Sequence, residues 1–413
     1  MDSAADIAAT PETRIGFVVD LARRLHEYGT AAPRLEDVVN RIGRRLGLVC
    51  NVLSTPTAIV MSFGDRDESF AETARVVRLP PGEVNLGKLC ATDAIANRVI
   101  TGAIGLADGR RELRAVGRET PPRWMTGLGV AAFGVSSAAI AVVLHCSAEG
   151  VVVSGLIGIL IGLLAWAARF SVNLAAAADA VAALLATAIA IVVAARITPV
   201  DARIVIVASL IVLLPGMTLT TAARELSSQH LISGTARLMG AITTLLKLAF
   251  GAVVASQVAI AIGLKTRGIP GPPLSDAWVW SAIVVAAISF AVLFQARFRD
   301  YPLVVGAVLL GYLCTRAGAA VGEPAFGTFL GGFAISAASN LYARITDRPG
   351  ALIREPGIVL LVPGSVGFRT LNYVFEHNVT LGLDTAVALI TLLVAIVAGL
   401  LFGDLLVPPR HRL

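Results

Sequence analysis

The sequence predicts an α-helical integral membrane protein. We expect about ten transmembrane helices, arranged as two inverted five-helix repeats with broken helices, after an N-terminal soluble α/β or α+β domain. Hydrophobic residues make up 56% of the 413 positions and charged residues only 15%, and the mean hydropathy is +0.78. The charge is concentrated at one end, since 33 of the first 123 residues are charged against 29 of the remaining 290. These values exclude a wholly soluble protein, a secreted protein, a coiled coil and a disordered tail.

The first 107 residues have the patterns of a small soluble domain. Two stretches with apolar residues at helical spacing end before Gly29 and before Gly47, and strand-like runs follow. Met1–Thr10 carries two aspartates and no long apolar run, which predicts a cytosolic N-terminus without a signal peptide. The predicted strands are 48–53, 58–63 and 74–78, and a further helix is expected over about 92–107.

The next segment, 108–123, holds five arginines and ends in Pro121-Pro122. We interpret it as a basic juxtamembrane linker. The membrane part follows as a first five-helix repeat over 124–263 and a second over 277–406. A spanning helix needs about 20 apolar residues. Ten candidates meet or approach this length: 125–145, 151–168, 173–195, 202–218, 240–263, 277–296, 302–319, 325–343, 356–374 and 384–406.

Two of these spans, the fourth and the ninth, are interrupted by Pro-Gly. The breaks are Pro215-Gly216 and Pro363-Gly364, and proline and glycine together cannot continue a regular helix. Each break has three candidate spans before it in its half and one after it. An odd number of spans per repeat inserts the second half upside down, and inverted repeats with matched broken helices are frequent in secondary transporters. The alternative is that each Pro-Gly marks a re-entrant or tilted packing element without a ligand.

The placement of arginine predicts the orientation. Five arginines precede the first span, and Arg410 and Arg412 follow the last. Positive charge favours the cytosolic side, so both termini are predicted to be cytosolic in a multi-pass protein of the plasma (inner) membrane. The net charge of +6 therefore orients helices in the lipid bilayer, and no nucleic-acid partner is expected. A homo-oligomer is compatible with these features.

The first break supplies the first set of candidate substrate-binding residues: Pro215, Gly216, Thr220, Arg224 and Glu225. Free amides and hydroxyls after a break can hold the carboxylate of a small zwitterion, as the N-termini of half-helices do. Arg224 and Glu225 could equally form an ion pair on the cytosolic side.

The second break supplies the matching set: Pro363, Gly364, Ser365, Arg369 and Asn372. We expect Ser365, Arg369 and Asn372 to act there as the first set acts at its own break.

Two acidic residues are candidates for ion coupling, with H⁺ as the expected ion. Asp179 lies about two turns into the third span, and Asp384 begins the last. An ionisable group at membrane depth is costly and marks an ion path by default. The alternatives are a position near the interface for Asp179 and a favourable helix N-terminus for Asp384.

The sequence offers no strong catalytic or metal signature. It has no Walker A motif, and His26, Ser54 and Asp65 do not have the spacing of a known triad. The four cysteines are far apart and form no metal-binding pattern, so no cofactor is expected. Two other classes stay open: a membrane-anchored enzyme with a hydrolase-like N-terminal domain, and a channel or structural membrane protein.

Three segments resemble the threonine/serine exporter family. The first is Tyr28–Glu36, which is similar to the family's glycine-small-x-x-x-Arg-Val-Glu segment. The second is Pro215–Gly234 followed by Arg237, similar to its Pro-Gly…Leu-Thr-x-x-x-Arg-Asp segment, with Glu225 in place of Asp. The third is Leu361–Leu371, similar to the Pro-Gly segment of the family's second half. The resemblance covers nearly the whole chain as a fused single-chain form.

This resemblance implies export of L-threonine and L-serine from the cytosol, driven by an ion gradient rather than by ATP. The residues alone lead to an inverted-repeat secondary transporter with a cytosolic domain. A regulatory role for residues 1–107 is compatible with transport.

Overall fold

The computed structural model describes residues 10–65, 73–264, 268–376 and 378–409. The first of its two main parts is an α+β unit of four helices and a three-stranded antiparallel sheet of order β1-β2-β3. Phe17, Leu21, Leu35, Met61 and Leu113 are fully buried in its core. The elements are α1 (Pro11–Glu27), α2 (Ala32–Arg45), β1 (Leu48–Thr55), β2 (Ala58–Asp65), β3 (Thr73–Arg78), α3 (Leu86–Ile100) and α4 (Leu106–Arg118).

The structure differs from the predicted linker over 108–123. Most of it belongs to α4, and the helix expected over about 92–107 is instead α3, ending at Ile100. Leu113 and Val116 are buried against the α+β unit. Arg110 and Arg114 each donate to a carboxylate oxygen of Asp20, at 2.7 and 3.0 Å. Despite its many arginines, this segment is therefore an amphipathic helix, in which apolar residues recur every three to four positions.

The second part consists of long helices and two split ones. The first half contains α5 (Arg123–Val143), α6 (Ala148–Ala168), α7 (Val172–Arg196), α8 (Ala202–Ser209), α9 (Gly216–Ser227) and α10 (Leu231–Ala261). The second half contains α11 (Asp276–Leu293), α12 (Tyr301–Val321), α13 (Pro324–Thr346), α14 (Ala351–Ile358), α15 (Gly364–Phe375) and α16 (Val379–Leu406). Both halves therefore have three long helices, an eight-residue helix, Pro-Gly, a twelve-residue helix and a final long helix.

Seven helices in the described ranges are long and apolar enough to cross a membrane: α5, α6, α7, α10, α11, α12 with the short turn before it, and α16. The chain is thus an α-helical membrane protein. Helix α13 has 23 residues but is not among the seven, and its buried face carries Ser336, Ser339 and Asn340. The split pairs α8–α9 and α14–α15 are too short individually. The count of ten spans and the inverted relation of the halves stay predictions.

The two breaks lie against each other. Pro215 (φ −79°, ψ 41°) and Pro363 (φ −83°, ψ 34°) have nearly the same backbone conformation. A Cβ atom on Gly364 would be 3.0 Å from the Cα atom of Gly216, closer than side chains normally approach a backbone. The glycines therefore allow the backbones of the two halves to touch where both helices are interrupted.

The membrane helices have two distinct ends. At the end that we call the domain end, Leu86 and Gly87 donate from their backbone N–H groups to Phe294 and Gln295, at 2.9 and 3.1 Å. Leu86 and Cys90 also pack there on Val304 and Leu352. Helix α10 begins at this end and has 31 residues, which makes it about 45 Å long. It leads to the opposite end, which we call the far end, where the loop after it pairs with the α5–α6 loop through Ser147 and Pro273.

Candidate functional site

Five charged residues from four helices come together at the domain end. We call them the charge cluster: Arg34 on α2, Arg224 on α9, Arg354 and Glu355 on α14, and Asp404 on α16. A guanidinium nitrogen of Arg354 lies 2.8 Å from a carboxylate oxygen of Asp404, and one of Arg224 lies 3.9 Å from the other oxygen. Arg34 is close enough to Arg354 and Glu355 for their charges to act on it.

Two polar side chains of α13 fix the position of Asp404. Ser336 and Asn340 each donate to the Asp404 carboxylate at 2.7 Å. They also accept hydrogen bonds from Arg354, at 3.2 and 3.1 Å. Such a network of charge-assisted bonds holds its members in one geometry. The Asn340 side chain hydrogen-bonds α13 to α14 and α16. A single polar group in a membrane span more often joins helices in this way than binds a ligand.

The charge cluster remains accessible. Three guanidinium groups face two carboxylates, with the buried Asp93 near Arg34, and the side chains of Arg224 and Asp404 are 23% and 20% exposed. Arg34 and Glu355 are likewise only partly buried. A cluster of this kind can bind a small carboxylate through an arginine and an ammonium group through an acid.

Glu225, by contrast, is a structural residue. Its side chain is fully buried and accepts hydrogen bonds from Arg237 at 3.0 Å, from Ser233 at 2.8 Å and from the backbone N–H of Ala32 at 3.0 Å. Of the two alternatives for Arg224 and Glu225, the structure does not form the ion pair, since Arg224 pairs with Asp404 and Glu225 with Arg237. Consecutive residues on a helix point about 100° apart, so Glu225 faces α10 and the α+β unit while Arg224 faces Asp404.

The candidate residues at the first break lie in different surroundings. Pro215 and Gly216 form the break itself, and Thr220 is 1% exposed, with a hydroxyl that has no partner among the described residues. Of the candidates at this break, only Arg224 reaches the charge cluster.

The residues after the second break do not reach the charge cluster. Helix α15 leads from Gly364 away from the domain end, because α16 follows it and returns to bring Asp404 there. Arg369 is exposed, Ser365 and Asn372 are partly buried, and Oδ1 of Asn372 has no partner in the described part of the chain. The structure therefore does not join Ser365, Arg369 and Asn372 to Arg224.

Sequence reasoning missed Arg34, Arg354, Glu355 and Asp404. A signal for two of them was present. If the second half is inverted, the half-helix on the domain side of its break is the one before Pro363, and this segment carries Arg354 and Glu355. Asp404, which lies two residues before the end of the last helix, resembles an ordinary interfacial acid in sequence.

The two candidate acids for ion coupling lie apart. Asp179 on α7 is 3.7 Å from the ammonium group of Lys247 on α10, and both side chains are partly exposed. Asp384 is exposed near the start of α16, towards the far end. Their role in coupling stays a prediction.

The α+β unit contains several buried polar groups, and those that the structure describes form no triad. His26 is 2% exposed and its Nε2 lies 3.2 Å from the carbonyl oxygen of Pro80, and burial lowers the pKa of this histidine. The backbone N–H of Ser54 donates to Glu36 at 2.8 Å, and the Asp65 side chain lies outside the described residues. Among the residues that the structure describes, no group of three His, Cys, Asp or Glu side chains is arranged to hold a metal ion.

Two family models match the chain. Both describe the threonine/serine exporter, and they cover residues 16–259 and residues 279–406. The match thus extends over the α+β unit and both halves of the membrane part.

Curated relatives carry the name pheromone-regulated membrane protein 10. The chain is 26% identical to the one from Saccharomyces cerevisiae over 95% of its own length and 54% of the relative. For the proteins from Candida albicans and Yarrowia lipolytica the identities are 24% and 27%, over 86% and 85% of the chain and 33% and 30% of the relatives. The chain spans about half or less of these relatives. No solved structure matches it. With both halves and the N-terminal unit covered by its models, the chain belongs to the threonine/serine exporter family.

Proposed function

We propose that the chain is a secondary active exporter of the small amino acids L-threonine and L-serine. The observation that carries this proposal is the charge cluster at the domain end, where one half-helix from each half, α9 and α14, contributes arginine. An amino acid presents a carboxylate and an ammonium group a few ångströms apart. The charge cluster offers guanidinium groups to the first and the Asp404 and Glu355 carboxylates to the second.

The geometry supports alternating access around the breaks. The two Pro-Gly segments touch through Gly216 and Gly364, and irregular backbone at membrane depth is tolerated where it is buried or lines a cavity. We propose that the protein lies in the plasma membrane with its domain end facing the cytosol. The arginines of α4, just before the first membrane helix, support this orientation.

We propose that H⁺ drives export, with Asp179 and Asp384 as the coupling residues. The pair of Asp179 with Lys247 suits this role, because a proton on the carboxylate weakens its attraction for lysine and so changes how α7 and α10 interact.

The test is efflux of labelled L-threonine from preloaded proteoliposomes, with and without an imposed proton gradient. We compare the intact chain with Arg224→Ala and Arg354→Ala. The matched control is Arg169→Ala, which removes an exposed arginine between α6 and α7. We expect gradient-dependent efflux that both cluster variants lower by about tenfold or more, since a hydrogen bond to a charged group is worth roughly 1.5–3 kcal/mol, and that the control leaves unchanged.

Absence of efflux from the folded, inserted chain under any gradient would overturn the proposed export. Efflux that needs no gradient would overturn the coupling, and unchanged efflux in both cluster variants would remove the charge cluster from the substrate path.

A further inference from the structure

A second group of opposite charges lines a cavity at the far end of the membrane part. The cavity has a volume of about 320 Å³, and its lining includes His145, Asp276, Tyr312, Thr315 and Arg316. His145 lies in the α5–α6 loop, Asp276 begins α11, and the other three lie on α12. Neither the proposed substrate path at the domain end nor any sequence motif uses these residues.

Among the residues that the structure describes, neither of the two opposite charges of this cavity forms an ion pair. In the described ranges, no acidic oxygen lies within 4.0 Å of the Arg316 guanidinium, and no basic nitrogen lies within 4.0 Å of the Asp276 carboxylate. Both side chains are exposed. An unpaired cation and an unpaired anion on the wall of one cavity complement a ligand that carries both charges.

Aromatic side chains hold Arg316 in place. Its guanidinium carbon lies 5.8 Å from the centre of the Trp280 ring, and Nη1 lies 3.5 Å from the Tyr312 hydroxyl oxygen. Trp280 and Tyr312 pack edge to face at 5.7 Å. Attraction between a guanidinium group and an aromatic face restricts the arginine, so less entropy is lost when it binds a carboxylate.

Thr315 lines the cavity, but its hydroxyl is turned towards a neighbouring helix. The Oγ1 atom is buried against Gly331 of α13, so a ligand in the cavity does not reach it. The lining of the cavity thus offers a ligand one cation and one anion.

We propose that this far-end cavity is a second binding site for a small amino acid. Arg316 binds its carboxylate and Asp276 binds its ammonium group. The inference rests on the proposed export, in which the far end faces the outside and the cavity receives the amino acid before release.

Trp280 provides a direct test that does not depend on transport. L-threonine is titrated into the detergent-purified full-length chain while tryptophan fluorescence is recorded. We expect a saturable change that Trp280→Phe removes, and a Kd that rises about tenfold or more in Arg316→Ala and in Asp276→Asn. Arg316→Lys should restore part of the affinity. The control Arg203→Ala removes an exposed arginine at the start of α8, outside the cavity lining, and should leave the Kd unchanged.

Two further probes test the chemistry of the ligand. Lactate keeps the carboxylate and hydroxyl, and ethanolamine keeps the amine and hydroxyl. A zwitterion site binds each at least about tenfold more weakly than threonine. A Kd that neither Arg316→Ala nor Asp276→Asn changes, or a fluorescence change that survives Trp280→Phe in full, would overturn the proposal.

Efflux from cells that express the same variants separates this inference from the proposed function. External L-threonine should alter efflux of the labelled amino acid, and Arg316→Ala should raise the concentration needed for half of that effect by about tenfold. Binding to the cavity without any efflux would contradict the proposed export but not the cavity site. Normal efflux without a change in Trp280 fluorescence would contradict the cavity site but not the proposed export.

Discussion

Glu225 is an acidic residue whose side chain is fully buried. Burial of a carboxylate is tolerated only when its oxygens are bonded, and here Arg237, Ser233 and the N–H of Ala32 bond them. The residue thus connects α9, α10 and the α+β unit, and its role is to hold these three parts together.

We expect Glu225→Gln to destabilise the protein. The change preserves size but removes the charge, which leaves the largely buried Arg237 guanidinium without a carboxylate. Breaking a buried pair from one side costs about 3–5 kcal/mol, so the midpoint of thermal unfolding in detergent should fall clearly. The exposed Glu83 provides the control, since Glu83→Gln should leave the midpoint unchanged. An equal midpoint for Glu225→Gln and the intact chain would contradict this structural role.

Asp93 makes the stability of the folded protein depend on pH. The residue is 6% exposed on α3, and burial raises its pKa to about 6 in spite of the charges of Arg34 and Arg348. Because the folded pKa lies above the ordinary value, the folded chain holds this proton more tightly than the unfolded chain. The stabilisation is therefore present in acid and is lost as the pH rises through about 6.

Asp93→Asn should remove this dependence. Between about pH 5 and about pH 7.5, the intact chain should lose roughly 1.4 kcal/mol of unfolding free energy relative to the variant. Thermal unfolding of both proteins at the two pH values measures it. His26 has a lowered pKa and acts in the opposite direction, but it is common to both proteins and cancels in the comparison. The same pH dependence in the variant would refute the assignment to Asp93.

At the scale of elements, the contact between the two breaks depends on glycine. A Cβ atom on Gly364 would meet the backbone of Gly216 at 3.0 Å, and one on Gly216 would meet the backbone of Gly364 at 3.1 Å and overlap Cγ1 of Val362. Backbone cannot move aside as easily as a methyl group. Overpacking of a tight site costs about 1–3 kcal/mol.

We therefore expect both Gly364→Ala and Gly216→Ala to impair efflux. Each should lower threonine efflux from proteoliposomes by about tenfold, at normal levels of inserted protein. Gly240 lies inside α10 with open space around its Cα atom, so Gly240→Ala should have no effect. Normal efflux in both break variants would show that the contact is looser than this geometry.

Much of this element scale could be predicted from the sequence. Pro-Gly within an apolar segment requires a helix to end, and both breaks lie where the sequence places them. The charged site could not be predicted as well, because Arg354 and Asp404 are brought together by tertiary packing over 50 residues of chain. Helix α4 was missed for a different reason, since its apolar residues alternate with arginines that Asp20 neutralises.

For the whole molecule, the α+β unit contributes directly to the charge cluster. Arg34, on the second helix of the unit, acts on Arg354, Glu355 and Arg224 at the domain end of the membrane helices. The unit is therefore connected with the proposed substrate site by charge as well as by the packing of Leu86 and Cys90.

Arg34→Ala should weaken substrate binding without unfolding the unit. We expect the KM for threonine efflux to rise by about tenfold, because one positive charge is lost from the site. Arg45, exposed at the end of the same helix, supplies the control, and Arg45→Ala should leave the KM unchanged. An unchanged KM in Arg34→Ala, with normal unfolding, would show that the α+β unit contributes no charge to the substrate site.

The contact of Gly216 with Gly364 also determines how far the parts of a split helix can travel. Helix α9 has 12 residues and is therefore a rigid arm about 18 Å long. A rotation of about 10° at its glycine end displaces the other end, near Arg224, by about 3 Å, which is the diameter of a water molecule. A rotation of about 10° at the breaks is therefore enough to open or close a path for water at the domain end, while the long helices around them stay in place.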